Sequence, residues 1–380
     1  MSQYAVPCVV YRGGTSRGLF FHKKDLPHDS EEQKRIFFAG IDAYNPSQVN
    51  GLGSATSHTS KVVVIAPPSV EGADVDYTFY QIGIGELVAD DKGTCGNLMA
   101  AVGAFAVDEG MVRVDPAADY VTVTAYNTNI GKMLRLHVPV VNGKAKVQGD
   151  YLMPGLITTG AKYLVDILNP GGGKTGATLP LGASYTLAAN GKQYPLSFVD
   201  VVNPFVYVPS DALGLKGTEL NSELAGNSEL LAELDMIRCD AAVRSGMEKS
   251  VQDAKQAPAV PKVAIVAKPQ DYVTSSGQLI KAEEVDIVAK MLSMGRFHRT
   301  FAGSGLYNLA AAVLLPGTVA QQLAAKKESS GPQIVRIGHP EGVAHVRVAL
   351  TEDGQDVAFV GLERTARRII KGDLYIPEKN

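Results

Sequence analysis

Two alanine-rich apolar stretches, each entered through a glycine-bearing loop, constrain this chain more than any other feature. The first, 98–107, follows Thr94-Cys95-Gly96-Asn97. The second, 306–315, follows Phe301-Ala302-Gly303-Ser304-Gly305 and is stopped by Pro316-Gly317. Each has helical length and no polar face, so each reads as a helix buried on all sides. Such a helix needs cover all round, and the short β-branched or alternating runs near both supply it as strands. Two similar units of strands around a helix follow, a duplication at domain scale and not a solenoid.

Length agrees. A chain of 380 residues is too long for one ordinary core, and we set the domains at 1–185 and 186–380, with the last strand, 374–377, free to pack on either. Hydrophobic residues at 45% and charged residues at 20% suit a soluble globular protein. A net charge of −3 gives no reason to expect nucleic acid or an anionic membrane as partner. No apolar run reaches spanning length, and the N-terminus lacks the basic and apolar regions of a signal peptide. Cys8, Cys95 and Cys239 form no CxxC pair and no zinc spacing with histidine, so neither a metal site nor a disulfide framework is expected. An odd, low cysteine count fits a reducing cytoplasm. The oligomeric state stays open, a homodimer included.

Along the chain, 5–11 reads as a strand ended by Gly13-Gly14, and 19–22 as its continuation. A helix is expected over Ser30–Ile41 with Ser30 as N-cap, and a strand over Lys61–Ala66 opening on the lysine. Further strands are expected at 75–84, 121–125, 132–141 and 146–150. In the second half, 198–202, 263–267, 333–337, 343–350 and 357–361 read as strands, and 219–239 and 283–294 as helices. The basic run 364–371 also holds Ile369 and Ile370 and reads as partly buried. Gly171-Gly172-Gly173-Lys174 looks superficially like a phosphate loop, but the first glycine of that pattern would fall at Leu168, so it reads as a surface turn.

The glycine loops invite anion chemistry. A helix start offers unpaired N–H groups and partial positive charge, and glycine lets a ligand approach closely. Two such starts suit a substrate carrying several carboxylates, with donors at Gly96, Asn97, Gly303, Ser304 and Gly305. Cys95 stands at a helix entrance, where an anionic sulfur is favoured; the competing reading is a small buried hydrophobe, the reading kept for Cys8 and Cys239. Lys61 at a strand end is read as either a solvated lysine or a desolvated base. Thr15, Ser16 and Arg17 lie in a turn, where Arg17 either pairs with a carboxylate or faces solvent. His298 is a carboxylate donor or a satisfied histidine near a helix end.

Seven short stretches, in order from near the first residue to near the last, resemble the PrpF family of the diaminopimelate-epimerase-like superfamily. They are Arg12-Gly13-Gly14-Thr15-Ser16-Arg17-Gly18, Thr59-Ser60-Lys61, Cys95-Gly96-Asn97, 200–204, Ser293-Met294-Gly295 with His298, Pro316-Gly317-Thr318, and Arg364-Thr365-Ala366-Arg367-Arg368. The resemblance implies an α+β fold: two pseudo-symmetric domains, each a curved, mostly antiparallel sheet wrapped around a central helix, with the active site between them. It implies a cofactor-independent isomerase that shifts a proton (cis–trans, allylic or keto–enol) in a small unsaturated di- or tricarboxylate such as 2-methylaconitate. Lys61 matches the family's base, and Cys95 the cysteine across the reacting carbon. Thr15, Ser16, Arg17, Ser60, Gly96, Asn97, Asn203, His298, Gly303, Ser304 and Gly305 are then expected to bind substrate. The family motif commonly carries lysine where this chain has Arg17; the charge is kept with a different geometry. Racemases of the superfamily use one cysteine from each domain. Aligning the two loops puts Ala302 at the second position, which disfavours an amino-acid epimerase. A non-catalytic carboxylate binder is the remaining alternative.

Overall fold

In the computed structural model, which describes residues 2–325 and 331–378, the chain packs as two compact units. One holds the residues up to Leu168 together with the segment from Glu363; the other is Asn169–Leu362. The seam lies earlier than the 185/186 division read from the sequence, and the C-terminal stretch packs with the first unit. Strand pairing is the reason: Ala366–Pro377 runs antiparallel along Gln3–Gly13, with Gln3 opposite Pro377 and Gly13 opposite Ala366.

In the first unit Gln3–Gly13 turns through Gly14-Thr15 into the antiparallel strand Ser16–His22. Lys61–Ala66 pairs parallel to it, and Val75–Ile82 antiparallel to that. Tyr120–Asn127 follows in parallel, then Lys132–Val141 and Tyr163–Leu168, both antiparallel. The second unit repeats this sequence of senses strand for strand. Its strands are Lys192–Val201, Asn203–Pro209, Lys262–Ala267, Ile287–Ser293, Gln333–His339, Gly342–Leu350 and Val357–Arg364. They join antiparallel, parallel, antiparallel, parallel, antiparallel, antiparallel. Both sheets are mostly antiparallel, and the architecture is α+β.

Each sheet surrounds one helix. Met99–Asp108 is buried from Met99 to Val107 and touches Gln3–Gly13, Tyr120–Asn127, Lys132–Val141, Tyr163–Leu168 and Ala366–Pro377. Phe105 stacks 5.8 Å from Phe20 and lies edge-on to Tyr11; burial of each such ring contributes about 1.5–3 kcal/mol. Gly303–Leu314 packs against Lys192–Val201, Asn203–Pro209, Gln333–His339 and Gly342–Leu350. Its one amide inside the core, Asn308, shares its two N–H groups among the carbonyls of Val199, Val201 and Asn203 and accepts from the Tyr207 hydroxyl, so both ends of the amide are engaged.

Several expectations are corrected. Ser30–Ile41 is helical as read, but its N-cap is Asp29, whose carboxylate accepts from the N–H groups of Glu31 and Glu32. The helix expected over 219–239 is two helices, Asn221–Leu224 and Ser228–Arg244. The stretch 283–294, read as helix, is the strand Ile287–Ser293, buried on both faces; a doubly buried strand shows no alternation, so periodicity cannot tell it from a helix. Beyond the two-residue strand Lys144–Ala145 the chain at 146–150 is irregular. The basic run is an exposed strand over 367–371. The Gly171-Gly172-Gly173 turn is internally occupied: the N–H groups of Lys174 and Thr175 and the Thr175 hydroxyl donate to Asp200 Oδ2 at 2.8, 2.7 and 2.9 Å. Its donors serve the chain's own carboxylate. Among the described residues no helix is long and apolar enough to cross a membrane.

Candidate active site

The site grows from the hairpin Gly13-Gly14-Thr15-Ser16. Gly14 has φ +52°, and a Cβ there would fall 2.4 Å from Asn97 Oδ1, so the turn presses against the loop before the first central helix and only glycine fits. Arg12 fixes the turn from behind, donating to the Gly14 carbonyl and to both oxygens of Thr365, while the Gly14 N–H donates to the Thr365 carbonyl. The first and the last of the seven motif stretches therefore meet, and their job at this point is structural.

On the far side of the hairpin, Asn97 Nδ2 donates to Thr15 Oγ1 at 3.1 Å and lies 3.5 Å from Ser16 Oγ. Cys95 Sγ lies 3.9 Å from the same Ser16 hydroxyl. Cys95 is half-buried, unlike Cys8 and Cys239, which are buried. Its loop is held from below by Asn127, which donates to Thr94 Oγ1 and Tyr77 Oη. Two residues beyond Ser16, on the same face of the strand, Gly18 packs on Lys61: a Cβ at Gly18 would sit 2.9 Å from the Lys61 carbonyl oxygen, 3.3 Å from Lys61 Cβ and 3.0 Å from Leu98 Cδ1. One strand thus carries the contacts of both the thiol and the lysine.

Lys61 is only 8% exposed, so it is not a solvated strand-end lysine. Its Nζ donates to Gln81 Oε1 at 2.5 Å and lies 5.1 Å from the centroid of the Phe79 ring. Both partners are uncharged.

Other expected residues fall differently. Ser60 is fully buried, and its hydroxyl is committed to Gln48 and the Thr56 carbonyl; it supports the loop before Lys61 and does not reach a ligand. Arg17 alternates with Ser16 and Gly18, so it leaves the strand on the opposite face from Cys95, where its guanidinium donates to the Leu52 carbonyl. Gly96 and Asn97 lie in the turn before the helix, closed by a hydrogen bond from Met99 N–H to the Cys95 carbonyl.

In the second unit the corresponding bond runs from Leu306 N–H to the Ala302 carbonyl, which sets Ala302 against Cys95. The helix there begins at Gly303, earlier than read, so Gly303, Ser304 and Gly305 form its first turn, whose N–H groups have no partner within the helix. A Cβ at Gly303 would meet nothing within 4 Å, whereas one at Gly305 would lie 2.6 Å from Phe301 Cε1 and 2.7 Å from Phe205 Cζ. The missing side chain at Gly305 therefore makes room for buried rings, while its N–H stays among the first-turn donors. Asn203 holds the strand position of Ser16. His298 Nδ1 accepts from the Thr300 N–H, which leaves Nε2 as the donor of the neutral ring.

Sequence reasoning missed Lys262. It opens the second unit's third strand as Lys61 opens the first unit's, and its Nζ donates to the Ala259 carbonyl at 2.9 Å and to Ser293 Oγ at 3.2 Å. Burial lowers its pKa from the ordinary lysine value. The signal was the loop alignment itself, extended back to the strands. Among the described residues no three His, Cys, Asp or Glu side chains gather as a metal site would need.

The fold is a duplicated α+β architecture, and the relatives that share it make the chain an isomerase. The chain belongs to the PrpF family, described as PrpF protein, which it matches over residues 3–377. It is 39% identical over 378 residues to the 3-methylitaconate isomerase of Eubacterium barkeri, covering 98% of each chain. It is 33% identical over 391 residues to the 2-methyl-aconitate isomerase of Shewanella oneidensis, covering 99% of this chain and 98% of that one. Its structure superposes on the crystal structure of a methylitaconate-delta-isomerase with TM-score 0.93 at 37% identity, covering 99% of this chain and 97% of the other.

Proposed function

We propose that this isomerase moves one proton within a small unsaturated di- or tricarboxylate, with Lys61 as the base and Cys95 as its partner in returning the proton. The observation that carries this reading is the shared hairpin strand: Ser16 reaches the Cys95 thiol at 3.9 Å while Gly18 packs on Lys61. The substrates in the relatives' names, methylitaconate and methylaconitate, are unsaturated carboxylates of this class.

The chemistry follows from the groups available. Lys61, as the free amine, takes a proton from a carbon that is both allylic and activated by a carboxylate. The electron pair left on carbon spreads over the alkene and carboxylate. N–H groups at Gly96 and Asn97 meet the charge where it develops, and such preorganised donors need no reorganisation during the reaction. The proton then returns from Lys61 or Cys95 to the far allylic carbon, or to the first carbon after bond rotation. Atoms balance, and no redox step is needed. General acid–base participation of this kind contributes about a hundred- to ten-thousand-fold. Thr15, Ser16 and Asn97 hold a carboxylate beside the thiol. In the second unit Asn203, His298, Gly303, Ser304 and Gly305 offer donors of the kind a carboxylate accepts.

The test is an NMR screen of unsaturated di- and tricarboxylates in heavy water, with wild type and Lys61→Ala. Wild type should place deuterium on one allylic carbon as the double bond moves. Lys61→Ala should bind the same compound without exchange. Near-wild-type turnover by Lys61→Ala removes the lysine from the mechanism. In a parallel incubation with amino acids, deuterium at an α-carbon would support an epimerase instead, a reading opposed by the alanine at position 302.

A further inference from the structure

We infer that Gln81 is the positioning residue for Lys61, holding its nitrogen in place through proton transfer without supplying a charge. The inference rests on the reading of Lys61 as the base.

Lys61 and Gln81 are direct cross-strand partners, so their side chains leave the sheet on the same face. Gln81 Oε1 accepts from Lys61 Nζ at 2.5 Å. The other end of the amide is tied down: Nε2 donates to the carbonyls of Ser60 at 2.8 Å and Ser57 at 3.2 Å. A flipped amide would set its oxygen against those carbonyl oxygens, so the orientation is fixed and the carbonyl must face the lysine. Since Ser60 directly precedes Lys61, the amide ties the lysine's nitrogen back to its own strand.

The choice of side chain matters chemically. An amide oxygen accepts from an amine and from an ammonium alike, so the bond survives both halves of a proton transfer. A carboxylate here would favour the ammonium and keep the proton. A hydroxyl could donate to the amine's lone pair and occupy the site of reaction. The amide oxygen only accepts, and it leaves that lone pair to the substrate.

The second unit shows that the fold does not demand this amide. Val263 pairs with Leu292, which sets Ser293 opposite Lys262. That lysine is held by a hydroxyl and the Ala259 carbonyl. Where the neighbouring loop carries a thiol the lysine has an oriented amide; where it carries Ala302 the lysine has a serine.

Three variants test the inference: Gln81→Met, Gln81→Glu and Lys61→Met. Gln81→Met keeps the length of the side chain and loses the acceptor. Its kcat should fall about a hundredfold, the cost of a reacting group misplaced by about 1 Å, with KM within about twofold and thermal unfolding near wild type. Gln81→Glu should move the acid limb of kcat/KM to higher pH by about one unit or more, so that activity at pH 6 suffers far more than at pH 9. Wild-type kcat and an unmoved pH profile in both Gln81 variants, beside an inactive Lys61→Met, overturn the inference and leave the base assignment standing. A loss confined to thermal stability overturns it equally. An active Lys61→Met overturns the base assignment and this inference with it.

Discussion

Phe205 occupies in the second unit the strand position that Gly18 occupies in the first. Leu19 pairs with Val62 and Val206 with Val263, one residue further along each strand. The helix starts are exchanged in the opposite sense: Leu98 packs on Gly18, and the Phe205 ring lies over Gly305. Small against large in one unit becomes large against small in the other, at the same junction of strand and helix start. In the second unit Phe205 and Phe301, stacked at 6.2 Å, fill this place. In the first, Gly18 leaves room for the backbone of Lys61.

Gly18→Ala therefore tests the position of the base. The new methyl group would lie 2.9 Å from the Lys61 carbonyl oxygen, a backbone atom that cannot swing aside. The strand carrying Lys61 must shift. We expect kcat to fall by about ten- to a hundredfold, and stability by about 1–3 kcal/mol from overpacking. Steady-state kinetics with urea unfolding of the same variant reads both; an unchanged kcat contradicts the packing argument.

Thiol alkylation should single out one cysteine. Cys8 is buried and its pKa is pushed up to about 12 by desolvation, and burial likewise raises that of Cys239. Cys95 is half-buried on a loop. Iodoacetamide at pH 8 should label Cys95 alone on the native protein, with activity lost in step with labelling. Mass mapping of the adduct checks this, and a saturating dicarboxylate should protect. Equal labelling of all three thiols would refute the order.

Asn308→Leu should unfold the second unit more readily. The substitution leaves the fully buried Tyr207 hydroxyl and three carbonyl groups, those of Val199, Val201 and Asn203, without the amide. Each orphaned group costs about 1–3 kcal/mol. A loss of about 3 kcal/mol or more in urea-extrapolated stability is the expected result. Asn308→Asp, which keeps the acceptor and loses the donors, should be nearly as harmful.

Acid should weaken the fold through His339. Burial lowers its pKa from 6.5 to about 4, opposed by Glu341 and aided by His298. The folded state therefore keeps this ring neutral while the unfolded chain takes up a proton. Between about pH 6.5 and about pH 4 the unfolded state binds more protons, so stability falls as pH falls through that window. The contribution is on the order of 2 kcal/mol after allowance for partial solvent access. His339→Gln should flatten the stability profile from pH 7 to 4.5 in chemical unfolding; an unchanged slope would place the acid sensitivity elsewhere.

Local signals carried a good part of this molecule. The strand Lys61–Ala66 and the helix Ser30–Ile41 fall where the sequence puts them, because β-branched clustering and an acidic first turn act within a few residues. The two central helices are legible for the same reason, their apolar composition being unbroken. The pairing of Ala302 with Cys95 was also legible, since it needs only the two loops. Ser60 was misassigned because a motif names a residue without saying whether its side chain meets a ligand or a neighbour. Gln81 was invisible, for it matters only through the residue opposite it on another strand, whereas Lys262 could have been found by extending the loop alignment back to the strand it opens.

What the sequence alone determined is the family, the two buried helices, and the lysine and cysteine beside them, all of which rest on short-range patterns or on motif order. Only the tertiary structure decided that 287–293 is a strand, that the C-terminal segment returns to the first unit, that an amide clamps Lys61, and that Phe205 answers Gly18. Each of these depends on strand register, and register is settled by which distant residues bury against one another, information that no local window contains.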